Sequence, residues 1–323
     1  MKIDILMATF NGEKYLREQI DSILNQTYKN FRLLISDDGS TDATRDILKE
    51  YIAKDDRIVV FLQKKNIGVV KNFEYLMEKV EAEYFMFSDQ DDIWHKDKIQ
   101  KTLDKMEECN YDLVYTDLQV VDENLNIIQK SYWKLKGFDK KIKYNDFNSL
   151  YLNNYITGCT MLVKSKWLNK ILPLPHKSEY ILHDYWVALI VSKFGKMAYV
   201  SQPQIDYRQH IDNRVGSKRR SDSIQNFEEM RNLFIDVKKD HFKTFIKNAE
   251  CFEDDEIEEL NKKCYEYFDS LKSIKKISFK NFKLFWNLYK YEKFGYAFQN
   301  YLILNMPVLA KICFDIKKGL NNR

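Results

Sequence analysis

The segment Phe85–Asp92, with the sequence FMFSDQDD, joins an apolar run directly to three carboxylates within four positions. An uninterrupted apolar and aromatic run is typical of a buried β-strand. Burial and mutual repulsion both raise the pKa values of neighbouring carboxylates, so such a cluster needs a compensating charge. Mg²⁺ or Mn²⁺ could supply that charge, because both ions prefer hard oxygen ligands and often share them with a phosphate. The alternative interpretation is an acidic helix cap, with Asp92 preceding a helix that begins near Lys96.

The residues on either side of this segment alternate between strand and helix patterns. Apolar runs predict five strands, and apolar positions at three- or four-residue spacing predict the helices between them. The predicted strands are Ile3–Thr9, Phe31–Ser36, Ile58–Leu62, Tyr84–Ser88 and Leu113–Leu118, and the predicted helices are Glu13–Asn25, Thr41–Lys54, Val69–Glu81 and Lys96–Glu108. This alternation predicts an α/β fold in which helices cover both faces of a mostly parallel sheet.

Three polar loops follow the first, second and fourth predicted strands: Thr9–Gly12, Asp37–Ser40 and Ser88–Asp92. Ligands bind open α/β sheets at the carboxyl ends of their strands, so the three loops predict one shared binding site. In the second loop, an aspartate has the acceptor-only chemistry that suits the imide of uracil or thymine. The alternative role for both aspartates of that loop is to cap the following helix.

Composition restricts the class of protein. The chain has 323 residues, of which 45% are hydrophobic and 15% aromatic, and this is sufficient for a packed core. The five cysteines are far apart and form no C-x-x-C pair, so we expect neither a disulfide framework nor a zinc site. Neither a signal peptide nor a transmembrane helix is expected, which indicates a cytoplasmic protein. Dinucleotide-binding and P-loop glycine motifs are absent, which argues against an oxidoreductase or a P-loop NTPase.

The net charge of +4 is unevenly distributed along the chain. The segment Ser270–Arg323 contains eleven Lys or Arg, two acidic residues and eleven aromatic residues. Aromatic residues at helical spacing beside lysines are typical of an interfacial helix that lies on an anionic membrane. A core-packing stripe, acceptor binding and contact with another subunit of an oligomer are the alternatives for this segment.

Five motifs occur in the order and at the spacing of one known family. They are Ala8–Gly12 (ATFNG), Ile23–Thr27 (ILNQT), Ser36–Asp42 (SDDGSTD), Asn66–Gly68 (NIG) and Asp89–Asp92 (DQDD). Together they resemble glycosyltransferase family 2 over roughly residues 1–215, and most of all its bacterial rhamnosyltransferase-like members. The resemblance implies a GT-A fold, a nucleotide-sugar donor, Mn²⁺ or Mg²⁺ as cofactor, and inversion at the anomeric carbon.

The same resemblance implies a division of the chain. Residues 1–215 would form the GT-A catalytic domain, with 1–110 as the nucleotide-binding half and 111–215 as the acceptor-side half. Residues 216–323 would form a helical, basic and aromatic C-terminal region.

Matched position by position, the resemblance implies roles for individual residues. The residues that would bind the donor are Thr9, Phe10, Asn11, Asp38, Asn66, Gly68, Lys71 and Asp89, with Asp38 pairing with the base and Asp89 contacting the sugar of the nucleoside. Asp91 and His210 would be metal ligands, and Asp91 is favoured over Asp89 in that role. A purely structural role is the alternative for His210. Arg208 and Arg214 are candidates for neutralising the diphosphate.

Asp184, in the segment His183–Trp186 (HDYW), would be the general base. An inverting transfer needs one, because a sugar hydroxyl is a poor nucleophile until its proton is removed during attack. Its alternative role is to cap the helix that the segment begins. His183 is a weaker metal-ligand candidate than His210.

These observations predict an inverting glycosyltransferase that uses a UDP- or dTDP-sugar, with dTDP-rhamnose as one candidate. The acceptor would be a hydroxyl of a cell-surface polysaccharide or of a lipid-linked glycan precursor, at the inner face of the cell membrane. A sugar nucleotidyltransferase is the first alternative, although the loop after the first strand lacks the glycine-rich, basic sequence it would need. A nucleic-acid-binding protein is the second; it leaves the acidic loop unexplained, because clustered carboxylates repel phosphate. We therefore expect no nucleic-acid partner.

Overall fold

Four parallel strands form the first part of the sheet in the order β3-β2-β1-β4. They are β1 (Ile3–Thr9), β2 (Phe31–Asp37), β3 (Ile58–Leu62) and β4 (Tyr84–Ser88). The helices between and after them are α1 (Leu16–Leu24), α2 (Thr44–Ile52), α3 (Val69–Met77) and α4 (Lys98–Glu108). Each strand agrees with its prediction to within one residue, and each helix is shorter than predicted. These elements come from a computed structural model that describes residues 2–138, 146–151, 153–210 and 227–271.

The rest of the sheet is mixed in direction. Its strands are β5 (Ile93–Trp94), β6 (Leu113–Val121), β7 (Ile127–Gln129), β8 (Leu162–Lys164) and β9 (Met197–Arg208). β8 pairs antiparallel with both β4 and β6, β9 runs parallel to β6, and β5 and β7 pair antiparallel with β9 and β6. The parallel pairing expected of most of the sheet therefore holds for β1 to β4 and for β6 with β9, whereas β5, β7 and β8 pair antiparallel. Strands of two or three residues, such as β5 and β8, are too short to show a periodic pattern.

Asp92 leads into β5 rather than into a helix. α4 begins only at Lys98, and its N-cap residue is Asp97. The helix-cap interpretation of the acidic loop is therefore wrong for Asp92, and its carboxylate does not cap α4.

The remaining helices are α5 (Tyr132–Lys136), α6 (Phe147–Tyr151), α7 (Leu168–Ile171), α8 (His183–Phe194), α9 (Phe227–Lys247) and α10 (Asp255–Ser270). Single 3₁₀ turns occur at Gly158–Thr160, Ser165–Trp167 and Ala249–Phe252.

The main core lies between the sheet and the helices that cover it. Ile3, Ile5 and Met7 of β1 pack in one buried cluster with Leu16 and Ile20 of α1, and all five side chains are fully buried. Complete burial of such a side chain stabilises the fold by about 1.5–3 kcal/mol. Packing on both faces of β1 explains why this strand is mostly apolar, and its one buried charge, Asp4, pairs with Arg32 at 2.7 Å.

The chain divides into two compact units, one containing Met1–His176 with Leu182–Gly216 and the other Lys177–Ile181 with Ser217–Arg323. In the second unit, Phe242, Phe245 and Phe252 are fully buried between α9 and the elements that follow it. None of the helices in the described part of the chain is long and apolar enough to cross a membrane. Arg214 and the basic segment from residue 272 onward lie outside the described residues.

Candidate active site

The carboxyl ends of β1 and β4 and the loop after β2 open into a cavity of about 920 Å³. Ten of the twelve predicted site residues line this cavity, although they come from six separate stretches of the chain. The ten are Thr9, Phe10, Asn11, Asp38, Asn66, Gly68, Asp89, Asp91, Asp184 and His210. Lys71 and Arg208 are not among its lining residues.

Gln90 ties the loop after β1 to the acidic loop after β4. Its Oε1 accepts hydrogen bonds from Thr9 Oγ1 at 2.6 Å and from the Phe10 amide at 2.9 Å, and its Nε2 donates to the Phe10 carbonyl at 3.2 Å. The two loops approach so closely that a Cβ atom on Gly12 would lie 2.5 Å from Gln90 Oε1. Gln90 was not among the predicted site residues, so this role was missed. The amide, which can donate and accept at once, was the available signal.

Asn11 joins the first loop to the second. Its backbone has a positive φ of 48°, its amide donates to Ser40 Oγ at 2.8 Å, and its side-chain Oδ1 accepts from the Thr41 amide at 2.9 Å. Asparagine tolerates this left-handed conformation better than most residues. The side chain predicted to line the nucleoside pocket therefore also holds the pocket's two walls together.

The Asp38 carboxylate joins the loop after β2 to the loop after β3. It is 3% exposed and accepts hydrogen bonds from the amides of Ile67 at 2.7 Å and Gly68 at 2.9 Å. Gly68 has a φ of 87°, which glycine adopts without strain. A carboxylate oxygen has two lone pairs, so Asp38 keeps acceptor capacity for a base. The neighbouring Asp37 instead forms an ion pair with Arg45 at 2.7 Å.

The acidic loop concentrates negative charge in a buried environment. Burial, followed by the charges of Asp91 and Asp184, raises the pKa of Asp89 to about 7. Asp92 is fully buried, and its burial, followed by the charges of Asp91 and Asp89, raises its pKa well above the usual value. One of its oxygens, Oδ2, has no hydrogen-bond partner within the described part of the chain. This loop therefore has an uncompensated demand for positive charge.

Lys98 supplies only part of the positive charge that the acidic loop needs. Its side chain is fully buried over the Trp94 ring, and burial lowers its pKa well below the usual value. Its ammonium nitrogen has no hydrogen-bond partner among the described residues.

Asp91 and His210, the two predicted metal ligands, are in direct contact. His210 Nε2 lies 2.8 Å from Asp91 Oδ2, and the two side chains are only 10% and 14% exposed. A carboxylate oxygen beside an imidazole nitrogen forms a donor pair that suits Mn²⁺. A second group of ligand-type atoms, from Asp89, Asp92 and Cys159, lies within 4.8 Å. Of that group only Asp89 lines the cavity, so only Asp89 can share a cation with a ligand there.

Arg208 is buried beneath the acidic loop, and its side chain is 2% exposed. Its Nε donates to the Asp91 carbonyl at 2.9 Å, one terminal nitrogen donates to the Glu123 carbonyl at 2.8 Å, and the other pairs with the Glu18 carboxylate. Its backbone amide donates to Asp92 Oδ1 at 3.1 Å. The expectation that Arg208 neutralises a diphosphate is therefore corrected: it anchors the loop that carries Asp91. Lys71, which is exposed, likewise does not reach the cavity wall.

Asp184 lies in the first turn of α8 and lines the cavity. One carboxylate oxygen accepts the Gly158 amide at 3.2 Å and the other accepts the Tyr185 amide at 2.7 Å. Burial raises the pKa of Asp184 to about 6. A Cβ atom on Gly158 would lie 3.1 Å from the Asp184 Cβ, so glycine permits this close approach. The N-cap residue of α8 is Leu182, so Asp184 is not the helix cap.

The neighbouring His183 has a packing role. Its ring stacks on Phe73 at 3.9 Å between centroids and meets Phe87 edge-on at 4.8 Å. This arrangement agrees with its low rank among the metal-ligand candidates.

Aromatic side chains that sequence reasoning did not select line the other side of the cavity. They are Tyr132, Phe138 and Tyr155. Burial raises the pKa values of Tyr132 and Tyr155 to about 12, so both phenols are protonated near neutral pH. Such rings present apolar faces together with hydroxyl groups, which suits the contact surface of a sugar. No periodic pattern in the sequence distinguished them from core aromatics.

The Asp91–His210 pair and the half-buried Asp184 line one cavity at the edge of the sheet, an arrangement that suits an enzyme of the group-transfer class. The chain belongs to glycosyl transferase family 2, whose family model matches residues 4–172. It is a glycosyltransferase that uses nucleotide-sugar donors, which confirms the predicted family and enzyme class. This membership favours glycosyl transfer over the nucleotidyltransferase and nucleic-acid-binding alternatives.

Curated relatives are similar over most of their length. A dTDP-rhamnosyl transferase, RfbG of Shigella flexneri, is 33% identical over 222 residues, which are 65% of this chain and 74% of the relative. A putative teichuronic acid biosynthesis glycosyltransferase, TuaG of Bacillus subtilis, is 26% identical over 218 residues, which are 67% of this chain and 82% of the relative.

Solved structures are similar in fold. S. aureus TarS in complex with UDP aligns with a TM-score of 0.55 at 15% identity, over 84% of this chain and 91% of that chain. The mannosyltransferase PcManGT of Pyrobaculum calidifontis, in complex with GDP-Man and Mn²⁺, aligns with a TM-score of 0.55 at 12% identity, over 98% and 80%. The predicted GT-A fold with a helical C-terminal region is confirmed.

Proposed function

We propose that this protein is an inverting glycosyltransferase that moves a sugar from a UDP- or dTDP-sugar onto a hydroxyl of a cell-surface polysaccharide or lipid-linked glycan precursor. The observation that carries the proposal is the arrangement around one cavity. Asp184, with a pKa raised to about 6, and the Asp91–His210 pair line the same cavity from different elements. A base and a cation-binding pair on one cavity are what a single displacement of a diphosphate requires.

The donor half of the cavity comprises the four loops after β1, β2, β3 and β4, which Gln90, Asn11 and Asp38 hold together. The remaining acceptor capacity of Asp38 suits an imide N–H, which UDP and dTDP share. The similarity to a dTDP-rhamnosyl transferase makes dTDP-rhamnose the first donor to test. Asp89, on the same wall, is the proposed contact to the ribose or deoxyribose.

The residues of the acidic loop fit a divalent cation. Asp91 and His210 would hold Mn²⁺ or Mg²⁺, with Asp89 as the third candidate, because all three line the cavity. Burial and then the charges of Asp91 and Asp184 raise the pKa of Asp89, and a bound cation would offset both effects on the carboxylate. When bound, the cation would neutralise charge on the departing nucleoside diphosphate.

Asp184 is the proposed general base. With a pKa of about 6 it is mostly ionised at neutral pH, yet basic enough to accept a proton from a sugar hydroxyl. Its two backbone hydrogen bonds fix the orientation of the carboxylate. Tyr132, Phe138 and Tyr155 are proposed to hold the acceptor sugar beside it. The residues after Leu271 keep their proposed role in contact with anionic lipid.

The test has two parts, donor binding and transfer. A thermal-shift panel of UDP-, dTDP- and GDP-sugars with Mn²⁺ measures donor binding, because a bound ligand raises the melting temperature. Asp184→Asn should bind the selected donor as the wild type does, and should lose at least about a hundredfold in transfer rate. Asp104→Asn, the same substitution at an exposed position of α4, is the matched control and should transfer normally. Near-normal turnover by Asp184→Asn would reject the assignment of the base.

A further inference from the structure

An exposed apolar surface lies on the catalytic unit, outside the cavity. Seven large hydrophobic side chains are exposed among the described residues, and four of them fall within eleven consecutive positions. These four are Leu125, Ile127, Ile128 and Leu135, with exposed fractions of 39%, 54%, 60% and 51%. We call the segment Leu125–Lys136 the hairpin surface. The other three, Phe10, Ile52 and Leu62, are scattered over separate elements.

The hairpin surface is anchored to the catalytic unit, and its apolar side chains are exposed. Among the described residues β7 pairs only with β6, and successive residues of a strand point to opposite faces, so the exposure of both Ile127 and Ile128 shows that no described residue covers either face of β7. α5 follows directly and buries Trp133 against Tyr115, with 5.7 Å between ring centroids. Leu135 of α5 is exposed.

A buried aspartate fixes this geometry. The Asp117 carboxylate accepts hydrogen bonds from Ser131 Oγ and from the Trp133 amide at 3.2 Å. Ser131 in turn caps α5 by accepting the Lys134 amide at 3.2 Å. The exposure of the four apolar side chains is therefore a property of an anchored hairpin and helix.

The charges of the hairpin surface have one sign. Lys130, Lys134 and Lys136 are exposed, and the segment contains no acidic residue. The two acids just before it are already engaged: Asp122 accepts from Asn126, and Glu123 pairs with Lys14 at 2.6 Å. Exposed aliphatic side chains among lysines, without acids, match the chemistry of an anionic membrane surface.

We propose that the hairpin surface docks the catalytic unit on an anionic lipid bilayer, next to the acceptor side of the cavity. Tyr132, within this segment, and Phe138, two residues beyond it, line the cavity, so lipid contact would bring the cavity close to acceptors held in the membrane. A second copy of the chain fits this surface less well. A two-fold contact would bring the same three lysines against each other, and lysine beside an edge strand opposes such pairing.

Only the purpose of the docking, bringing the cavity to acceptors in the membrane, rests on the proposed function. Lipid binding itself is measured without donor or acceptor. The full chain is sedimented with vesicles of phosphatidylcholine, with and without phosphatidylglycerol. Wild type should bind the anionic vesicles, and I127S/I128S should bind them about tenfold more weakly. K130Q/K134Q should bind severalfold more weakly and with reduced salt dependence. Leu62→Ser, which removes a side chain of similar exposure (53%) from β3, is the matched control and should bind as wild type does.

Unchanged binding of I127S/I128S to anionic vesicles would overturn the proposal and assign any lipid binding to other residues. Dimerisation of the wild type that I127S/I128S abolishes, without a change in vesicle binding, would identify a second copy as the occupant instead. Donor binding, followed by thermal shift in the same variants, should be retained, since none of the substituted residues lines the cavity. If the wild type binds anionic vesicles but none of the nucleotide-sugar donors, the proposed function is refuted and the lipid-docking inference still stands.

Discussion

His210 Nε2 lies 2.8 Å from Asp91 Oδ2, although the two residues are 119 positions apart. The contact joins the end of β9 to the loop after β4. The backbone of Arg208, two residues before His210, donates to Asp92, while its guanidinium holds the Asp91 carbonyl. The acidic loop is therefore contacted by the last residue of β9, Arg208, which is buried beneath it, and by His210 just beyond the strand, which lines the cavity.

His210→Ala should weaken Mn²⁺ binding about tenfold, because the imidazole is one of two side chains in the proposed donor pair. Calorimetric titration of Mn²⁺ in the presence of UDP or dTDP measures the affinity. His176→Ala is the matched control: its imidazole pairs with Glu74 at 3.0 Å, and His176 does not line the cavity. Equal Mn²⁺ affinity in both variants would assign His210 a structural role only.

Arg208→Lys should destabilise the fold by about 3 kcal/mol or more, because lysine cannot replace the separate bonds of a buried guanidinium to Asp91, Glu123 and Glu18. It should also weaken Mn²⁺ binding, since the loop of Asp91 loses its anchor. Urea unfolding measures the first effect and calorimetry the second. Arg17→Lys, at an exposed ion pair with Glu50, should change stability little. If Arg208→Lys proved as stable as Arg17→Lys, the anchoring role would be wrong.

The transfer rate should rise with pH through about 6 and level off above neutrality. Burial raises the pKa of Asp184 to about 6, so below that pH the carboxyl group is protonated and cannot accept the acceptor's proton. The measurement is kcat against pH at saturating donor, acceptor and metal. Asp104→Asn should keep the profile. A rate that stays constant between pH 5 and pH 7, taken as approximate limits, would contradict the role of Asp184 as base.

Mn²⁺ should raise the melting temperature more at about pH 8 than at about pH 5.5. The pKa of Asp89 is raised to about 7, so the folded state favours the protonated form and loses stability as pH rises from the unfolded pKa through 7. A bound cation offsets that loss where the carboxylate is ionised. Asp89→Asn should remove part of this pH dependence and should be more stable than wild type in the absence of metal at high pH. Equal stabilisation by Mn²⁺ at both pH values would refute the prediction.

Gly12→Ala should weaken donor binding and destabilise the fold by about 1–3 kcal/mol. The added Cβ would lie 2.5 Å from Gln90 Oε1 and would force Gln90 away from Thr9 and Phe10. The double variant G12A/Q90A relieves this clash, so part of the stability should return. Thermal unfolding of both single variants and the double variant measures the coupling. Strictly additive losses would show that Gly12 and Gln90 act independently.

β1, β2 and β4 could be predicted from the sequence because they are buried and therefore mostly apolar, and β3 because all five of its residues are apolar. The polar loops at their ends could be predicted to converge because parallel strands end at the same edge of a sheet. The short strands β5, β7 and β8 could not, since two or three residues carry no period. Their antiparallel pairing depends on contacts between residues far apart in the chain.

The sequence by itself determined that polar side chains from three loops share one edge of an α/β sheet, and that the aspartates of two of these loops need compensating positive charge. Only the tertiary structure decided which side chains face the cavity. Arg208 and His210 are two residues apart, yet one is buried under the acidic loop and the other lines the cavity with Asp91. Residue type could not show which side chain is buried and which faces the cavity, because an arginine near acidic residues gives the same sequence pattern whether it anchors a loop or contacts a ligand. Burial and hydrogen-bond partners, which arise only when β9 packs beside β6, make the distinction.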